Sequence, residues 1–181
     1  MVLGFQKLQE TPITKSILLG WMLAIHQNPP IKGDIMAHYA ELGVDNVVKR
    51  VLYIDTIKCM TNGGIEQESI GREYLETHHG GTWMKCSYNT LENVHSLGGT
   101  PFRGNYPCGN GNWKYDSTLD KFCEVSPPLD KDGEASNSWT LNTTTGKYDP
   151  PIAKPTIVSN ATYVWDESVY QADNTQGWVT I

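Results

Sequence analysis

Two phrases in the second half of the chain decide its fold: Trp113-Lys-Tyr-Asp-Ser-Thr-Leu-Asp-Lys-Phe122 and Trp139-Thr-Leu-Asn-Thr-Thr-Thr-Gly-Lys-Tyr148. Each phrase opens on a tryptophan and closes on another aromatic residue nine positions later. Trp165 continues the interval of 26 residues and closes on Trp178 by a longer path. A fixed period is typical of stacked copies of one supersecondary unit. The sequence therefore predicts three tandem β-hairpin repeats over residues 111–181.

Proline-rich joints separate these phrases, at residues 126–128, 149–151 and 154–155. Proline cannot donate to a β-ladder and restricts the residue before it, so the joints keep neighbouring hairpins from merging. A lone two-stranded hairpin is marginal in water. The hairpins must therefore pack on each other, on the preceding part of the chain, or on another subunit.

The hairpin tryptophans, namely Trp113, Trp139, Trp165 and Trp178, are the candidate interaction residues. Their flat faces could stack on sugars, because aromatic and apolar sugar faces are complementary. Packing between successive hairpins is the interpretation that we favour over this one.

Residues 36–90 predict a small α+β unit. Residues 38–42 and 47–55 are β-prone runs around a Gly/Asp/Asn turn, which indicates a hairpin, and we expect the second run to be a central strand. Residues 66–79 form the only good helix pattern after residue 35, with Gly80 as its C-cap. Residues 82–88 alternate as a returning strand, and residues 91–110 predict an irregular loop. The fold class is thus α+β and mostly β.

Residues 1–35 stand apart from this pattern. The apolar stretch at residues 16–25 is about half the length that spans a bilayer and makes a poor signal peptide. One interpretation is a short docking helix that ends at Asn28-Pro-Pro30. The other is upstream sequence before a natural start at Met36, because codons for residues 32–35 can contain a bacterial ribosome-binding sequence.

Composition excludes several classes of partner. A chain of 181 residues suits one domain, or one small domain with an array of hairpins. The net charge of −6 disfavours a nucleic-acid ligand, which would require a basic stripe, and an anionic membrane surface. Six Trp and nine Tyr against three Phe suit half-buried sheet faces and wet interfaces.

The four cysteines offer no CxxC pair, so no zinc ribbon is expected. A disulfide between Cys108 and Cys123 is sterically conceivable, whereas free, half-buried thiols are the interpretation that we favour. Cys86 with His79 or His95 could imitate a thiol nucleophile and its base, but nothing supplies a third, orienting group. We expect no catalytic residues.

No cofactor or metal is expected either. Metal ligands could come from His78, His79, Cys86 and His95, but His78 and His79 point about 100° apart on a helix, which makes a poor shared site. Asp130-Lys-Asp-Gly-Glu134 lacks the rest of an EF-hand and predicts a solvated turn. No glycine loop of the phosphate-binding type is present.

Several segments resemble a family of small uncharacterised proteins of tailed bacteriophages of aquatic bacteria, including cyanophages. The similarity covers most of residues 36–181 and none of residues 1–35. The matching segments are Met36-Ala-His-Tyr-Ala-Glu-Leu, Asn46-Val-Val, Val51-Leu-Tyr-Ile-Asp, Gly80-Gly-Thr-Trp-Met-Lys-Cys-Ser-Tyr-Asn-Thr90, Val94-His95, Gly98-Gly-Thr-Pro-Phe-Arg-Gly-Asn-Tyr106, Lys114-Tyr-Asp-Ser-Thr-Leu-Asp-Lys-Phe122, Ser138-Trp-Thr-Leu-Asn142 and Tyr163-Val-Trp-Asp-Glu167. Cys86, Cys108 and Cys123 depart from the family pattern, which argues against a common family metal site and raises a disulfide particular to this chain.

The resemblance implies a virion-associated or assembly role and no established catalytic residues. The leading hypothesis is therefore a non-enzymatic virion structural or accessory protein, associated with capsid or tail and assembled in the host cytoplasm. Its partners would be other virion proteins or further copies of itself. The alternative is a receptor- or glycan-binding module of a phage tail, and the third hypothesis is a cysteine-dependent enzyme.

Overall fold

A computed structural model describes residues 36–156 and 161–181. The predictions for residues 1–35, the docking helix and the upstream segment, lie outside the described residues. The fold is α+β and mostly β, as predicted from the sequence. The segment Ile35–Ile181 forms one compact unit.

The first half of this unit is built on a three-stranded antiparallel sheet. Its strands are β1 (Met36–Leu42), β2 (Val48–Asp55) and β3 (Thr82–Cys86), in the order β2-β1-β3. The predicted β1–β2 hairpin is confirmed, and Asp45 and Asn46 make its turn with positive φ angles of 54° and 59°.

The prediction that the second run is a central strand was wrong, because β1 is central and β2 lies at an edge. Lys49 and Arg50 in β2 are exposed, and charged residues are typical of edge strands. Val51 packs in the cluster on one face of the sheet, whereas Leu52 and Ile54 pack in the cluster on the other. An edge strand that is covered on both faces therefore has the same apolar run as a central strand.

Helix α1 (Glu68–His79) confirms the predicted helix and covers one face of the sheet. Its Leu75 packs with Tyr39 and Trp83 in the first hydrophobic cluster. Gly80 ends the helix with a φ of 66° and donates its N–H to Glu76 O, so the predicted C-cap is confirmed.

The opposite face of the sheet is covered by the first aromatic hairpin, β6 (Trp113–Asp116) with β7 (Lys121–Glu124). Phe122 is fully buried there against Ala40, Val48 and Cys86. The hairpin array therefore begins by packing on the N-terminal unit.

The second and third hairpins are β8 (Thr140–Asn142) with β9 (Lys147–Asp149), and β10 (Tyr163–Trp165) with β11 (Trp178–Thr180). All three predicted hairpins are present as separate two-stranded sheets. Consecutive hairpins touch through hydrogen bonds, such as Glu124 N to Gly146 O at 2.8 Å.

A second helix, α2 (Glu167–Ala172), interrupts the third hairpin. The prediction of a single helix after residue 35 was therefore wrong. Asp166 begins α2 as its N-cap, because its carboxylate accepts the Val169 N–H at 3.1 Å. The helix is only 6 residues long, too short for its periodicity to be recognised.

Residues 91–110 are more ordered than the predicted irregular loop. Strands β4 (Thr90–Leu91) and β5 (Val94–His95) form a small hairpin with Glu92 and Asn93 at its turn, both with positive φ. Such a turn matches the natural twist of paired strands.

Candidate functional site

Three of the four candidate tryptophans meet in one cluster. The rings of Trp139, Trp165 and Trp178 lie 5.3–5.9 Å apart between centroids, and each pair is packed edge to face. Such pairs contribute about 0.5–1.5 kcal/mol beyond the area that they bury. Trp113 is not part of the cluster, because it packs against the second face of the sheet.

The indole nitrogens and the neighbouring backbone fix two of these rings. Trp165 is 4% exposed and donates from Nε1 to Glu167 Oε2 at 2.9 Å, while Trp178 donates from Nε1 to Ile152 O at 2.9 Å. Gly177 lies under the Trp165 ring, where a Cβ would come within 2.3 Å of it. The cluster therefore acts first as the packing core that joins the second and third hairpins.

Beside this cluster lies an open hollow of about 220 Å³, here called the tryptophan hollow. The surface of the hollow is mostly apolar. Leu129 at the hollow is 67% exposed. The residues that line the hollow are Pro128, Leu129, Asp130, Lys131, Trp139, Val164, Trp165 and Trp178.

Acidic groups crowd one side of the hollow. Carboxylate oxygens of Asp130, Asp132 and Asp166 lie within 4.8 Å of one another, the arrangement among the described residues that could hold a metal ion. The ammonium of Lys131 is 2.6 Å from Asp132 Oδ2 and 3.4 Å from Asp166 Oδ2, so it already neutralises part of this charge. Asp130 accepts the N–H groups of Asp132 and Glu134, which is the geometry of the predicted turn.

Asp166 is held as a carboxylate by its hydrogen bonds. The hydrogen bond from the Ser168 hydroxyl is the main cause of the lowered pKa of Asp166. Burial acts in the opposite direction, and the Val169 N–H and the Lys131 ammonium lower the pKa further. The Asp166 carboxylate therefore stays charged at the N-terminus of α2, where the helix dipole stabilises a negative charge.

A second surface, which the sequence did not reveal, is the β4–β5 hairpin and the turn after it. Leu91, Val94 and Leu97 are 57%, 66% and 73% exposed. We call these three side chains the apolar tip. Large apolar residues scattered singly on a surface are normal, but Leu91 and Val94 pair directly across this hairpin and Leu97 follows three residues later.

The backbone under the apolar tip is held rigidly. Glu92 N–H donates to Asn105 Oδ1 at 2.9 Å, and Asn93 N–H donates to Gly104 O at 2.8 Å. His95 Nδ1 accepts the N–H groups of Leu97 and Gly99 at 3.2 and 3.0 Å. The tip is therefore preorganised, so binding would order little further backbone.

Basic side chains surround the base of the tip. Lys147 pairs with Glu92 at 3.0 Å, and Lys121 donates to Asn93 Oδ1. Arg103 reaches Glu68 at 2.9 Å and Lys85 O at 2.8 Å, and its Nε lies 3.1 Å from Asp120 without the geometry of a hydrogen bond. Arg103 thereby ties the loop to α1 and to the first hairpin.

The cysteines, all four of which the structure describes, are free. The disulfide between Cys108 and Cys123 that the sequence raised is not formed in this structure, in which Cys108 is exposed and Cys123 is fully buried. Cys86 is also buried, and burial raises the pKa of its thiol far above the ordinary value. A reactive cysteine needs a lowered pKa and access, so the geometry of Cys86 is that of a packing residue.

The histidines considered for metal binding have other contacts. His78 Nδ1 lies 2.7 Å from Tyr74 O and its ring stacks on Tyr74, while the ring of His79 lies beside Trp83. His95 supports the apolar tip as described.

A further aromatic group, also missed from the sequence, gathers around His38. The rings of Tyr53, Tyr88 and Tyr106 lie 5.9–6.2 Å from the His38 ring between centroids. The position of Tyr53 beside His38 follows from the register of β1 and β2, in which these two residues are paired. Tyr106 comes from the loop, and its position required the tertiary structure.

Comparison with known proteins gave no match to a family model, a curated protein or a solved structure. Neither described helix has the length and apolar character needed to cross a bilayer.

Proposed function

We propose that this chain is a non-enzymatic structural or accessory protein of a tailed-phage virion, bound to capsid or tail through protein–protein contacts. The observation that carries the proposal is the apolar tip, in which exposed leucine and valine side chains stand on a hydrogen-bonded backbone. Exposed apolar side chains that are grouped on one segment are typical of a protein-contact surface.

The tip can supply useful binding energy. Fully burying a leucine or valine side chain contributes about 1.5–3 kcal/mol, and the three tip residues are already partly covered, so about 1 kcal/mol each is a fair estimate. The free energy is modest for one copy. It is sufficient where a particle presents many copies and partners at high local concentration.

The resemblance of residues 36–181 to small proteins of tailed phages supports the virion as the setting. It rests on several separate segments, one of which, residues 98–106, lies next to the apolar tip along the chain.

The test is protein identification in purified virions of the phage that encodes the chain. We expect the wild-type chain to be present, and a chain carrying Val94→Ser and Leu97→Ser to be present at least tenfold less. The matched control is Ile57→Ser, since Ile57 is 66% exposed but lies outside the tip. Absence of the wild-type chain, under conditions that detect minor components, would defeat the proposal.

The second candidate is a receptor- or glycan-binding module, and the tryptophan hollow is the observation that favours it. Trp139 and Trp178 line the hollow while only half-buried, so part of each ring is accessible. A glycan array would compare the wild-type chain with Leu129→Glu, which changes the lining without removing a core tryptophan. Binding that is lost in this variant while folding persists would favour the module, and an array without any bound glycan would remove it.

A further inference from the structure

We infer that the apolar tip of one copy of this chain binds the tryptophan hollow of a second copy, so that copies associate head to tail. The inference rests on the proposed role of the tip as a protein-contact surface, and it names the partner. Four features of the described residues support it: size, polarity, charge and position on the second hairpin.

The hollow has room for one tip side chain. A dry apolar cavity of about 150 Å³ accepts a molecule the size of benzene. The tryptophan hollow, at about 220 Å³, therefore accommodates an isobutyl group such as that of Leu97. Leu97 is the most exposed of the three tip residues.

Both surfaces are apolar where they would touch. Pro128, Leu129 and Val164 join the tryptophans on the wall of the hollow. A leucine that enters would cover Leu129, which is 67% exposed in the single chain. Contact would thus remove apolar area from water on both sides.

The charges around the two surfaces are opposite in sign. Beside the hollow, the carboxylates of Asp130, Asp132 and Asp166 outnumber the amines of Lys131, which pairs with two of them, and Lys154, which lies 5.1 Å from the centre of the Trp178 ring. Around the tip, the amines of Lys121 and Lys147 outnumber the single carboxylate of Glu92. Complementary charge favours this orientation and disfavours tip-to-tip and hollow-to-hollow contacts.

The two surfaces lie at opposite ends of the second hairpin. Trp139 precedes β8 and lines the hollow, whereas Asn93 at the turn of the tip hairpin donates to Thr144 O, in the turn after β8. Residues 139 and 142, at the two ends of β8, are separated by about 10 Å at the rise of a β-strand. The tip and the hollow of one copy are therefore separate surfaces at opposite ends of its second hairpin.

A contact between two different surfaces of the same chain is heterologous. Such contacts continue from copy to copy and produce rings or filaments rather than closed two-fold dimers. The tip is small, so we expect association to be weak in dilute solution. It should become evident near about 1 mM, which is the effective concentration of two partners joined by a short flexible linker.

The experiment uses two variants that each lack one surface. The tip variant carries Val94→Ser with Leu97→Ser, and the hollow variant carries Leu129→Glu. All three positions are exposed, so both variants should fold, and circular dichroism with a thermal midpoint verifies this. The matched control is Ile57→Ser.

Sedimentation equilibrium up to about 1 mM measures the mass of each chain and of an equimolar mixture of the two variants. We expect the wild-type and Ile57→Ser chains to grow beyond a dimer with concentration, and each variant to remain a monomer. The mixture should form a dimer and stop there, because its one intact tip meets its one intact hollow.

Three outcomes would overturn the inference. They are a wild-type chain that stays monomeric throughout, association that persists in either variant alone, and a mixture that stays monomeric although the wild-type chain associates. If the wild-type chain stays monomeric but the tip variant is still lost from virions, the proposed function stands and only the identity of the partner is wrong. If the chain is absent from virions yet the mixture forms its dimer, the head-to-tail contact stands and the proposed function fails.

Discussion

Replacing Asn105 should destabilise the whole hairpin array, because one buried amide joins three segments. Asn105 is fully buried. Its Nδ2 donates to Phe122 O at 2.9 Å and to Thr145 O at 2.7 Å, and its Oδ1 accepts the Glu92 N–H at 2.9 Å. The side chain thus links the first hairpin, the second hairpin and the apolar tip.

The magnitude follows from the groups that Asn105→Ala would leave without partners. A buried polar group that loses its partner costs about 1–3 kcal/mol. The hydrogen bond to the Phe122 carbonyl is buried and that to the Thr145 carbonyl is partly buried, whereas Glu92 is exposed and water can satisfy its N–H. The expected loss is therefore about 3–5 kcal/mol of unfolding free energy, a large part of the 5–15 kcal/mol typical of a domain.

Urea unfolding followed by tryptophan fluorescence is the assay. At an m-value of about 2 kcal/mol/M, a loss of this size lowers the midpoint by roughly 2 M. Asn137→Ala is the matched control, since Asn137 is exposed, and we expect a change within about 0.5 kcal/mol.

The variant Asn105→Asp adds a pH test. Its carboxylate would face two carbonyl oxygens in a buried site, so the pKa of the carboxyl is raised in the folded state. The stability of the aspartate variant relative to wild type should therefore be greatest below about pH 4 and should fall as the pH rises through the raised pKa. An Asn105→Ala variant within about 1 kcal/mol of wild type, or an aspartate variant that gains stability relative to wild type over the same rise in pH, would refute this account of the amide.

Three further substitutions test other parts of the fold. Gly71→Ala would place a Cβ 2.1 Å from Tyr39 Oη. Thermal unfolding should therefore show a loss of about 1–3 kcal/mol of unfolding free energy from overpacking, although alanine favours a helix more than glycine does. A gain in stability would contradict this packing. Lys49 holds the pKa of Glu41 low, against an opposing effect of burial, so the stabilisation by Glu41 is present above about pH 4.3 and lost as pH falls through its folded pKa. Glu41→Gln should lower stability at pH 7 and flatten the acid side of the profile, and an unchanged acid side would contradict this. Arg103→Lys should cost about 2–3 kcal/mol in urea unfolding, because lysine cannot reproduce the fork that reaches both Glu68 and Lys85 O, and a loss below 0.5 kcal/mol would contradict that role.

The local sequence pattern was sufficient to predict an element wherever the residues of that element determine its structure. The aromatic phrases predicted all three hairpins, β-prone runs around a turn predicted β1 and β2, alternation predicted β3, and an apolar helical stripe predicted α1. Register within a hairpin depends on neighbouring residues in the chain, so a sequence pattern contains that information.

Local pattern failed where a short element depends on distant contacts. Helix α2 spans 6 residues and relies on the Asp166 cap and on Glu167, which accepts the N–H and hydroxyl of Ser138. The Thr90–His95 hairpin was predicted as loop because each strand has two residues, although Glu92-Asn93 between apolar residues was the available signal.

The candidate site was predicted only in part. The repeat identified Trp139, Trp165 and Trp178, and their mutual packing agrees with the favoured interpretation of the aromatics as packing residues. The hollow beside them needs Pro128 and Leu129, which lie at the end of a joint that the sequence treated only as a spacer and directly after it.

The sequence by itself determined the fold class, the three hairpins and their separation by proline, because these depend on interactions between residues close in the chain. The tertiary structure alone decided what the hairpins pack on. Phe122 fills the open face of the N-terminal sheet, Asn105 joins the first two hairpins, and the tryptophan cluster joins the last two. These contacts join residues far apart in the chain, and the choice among them depends on shape and hydrogen bonding in three dimensions, which periodicity does not encode.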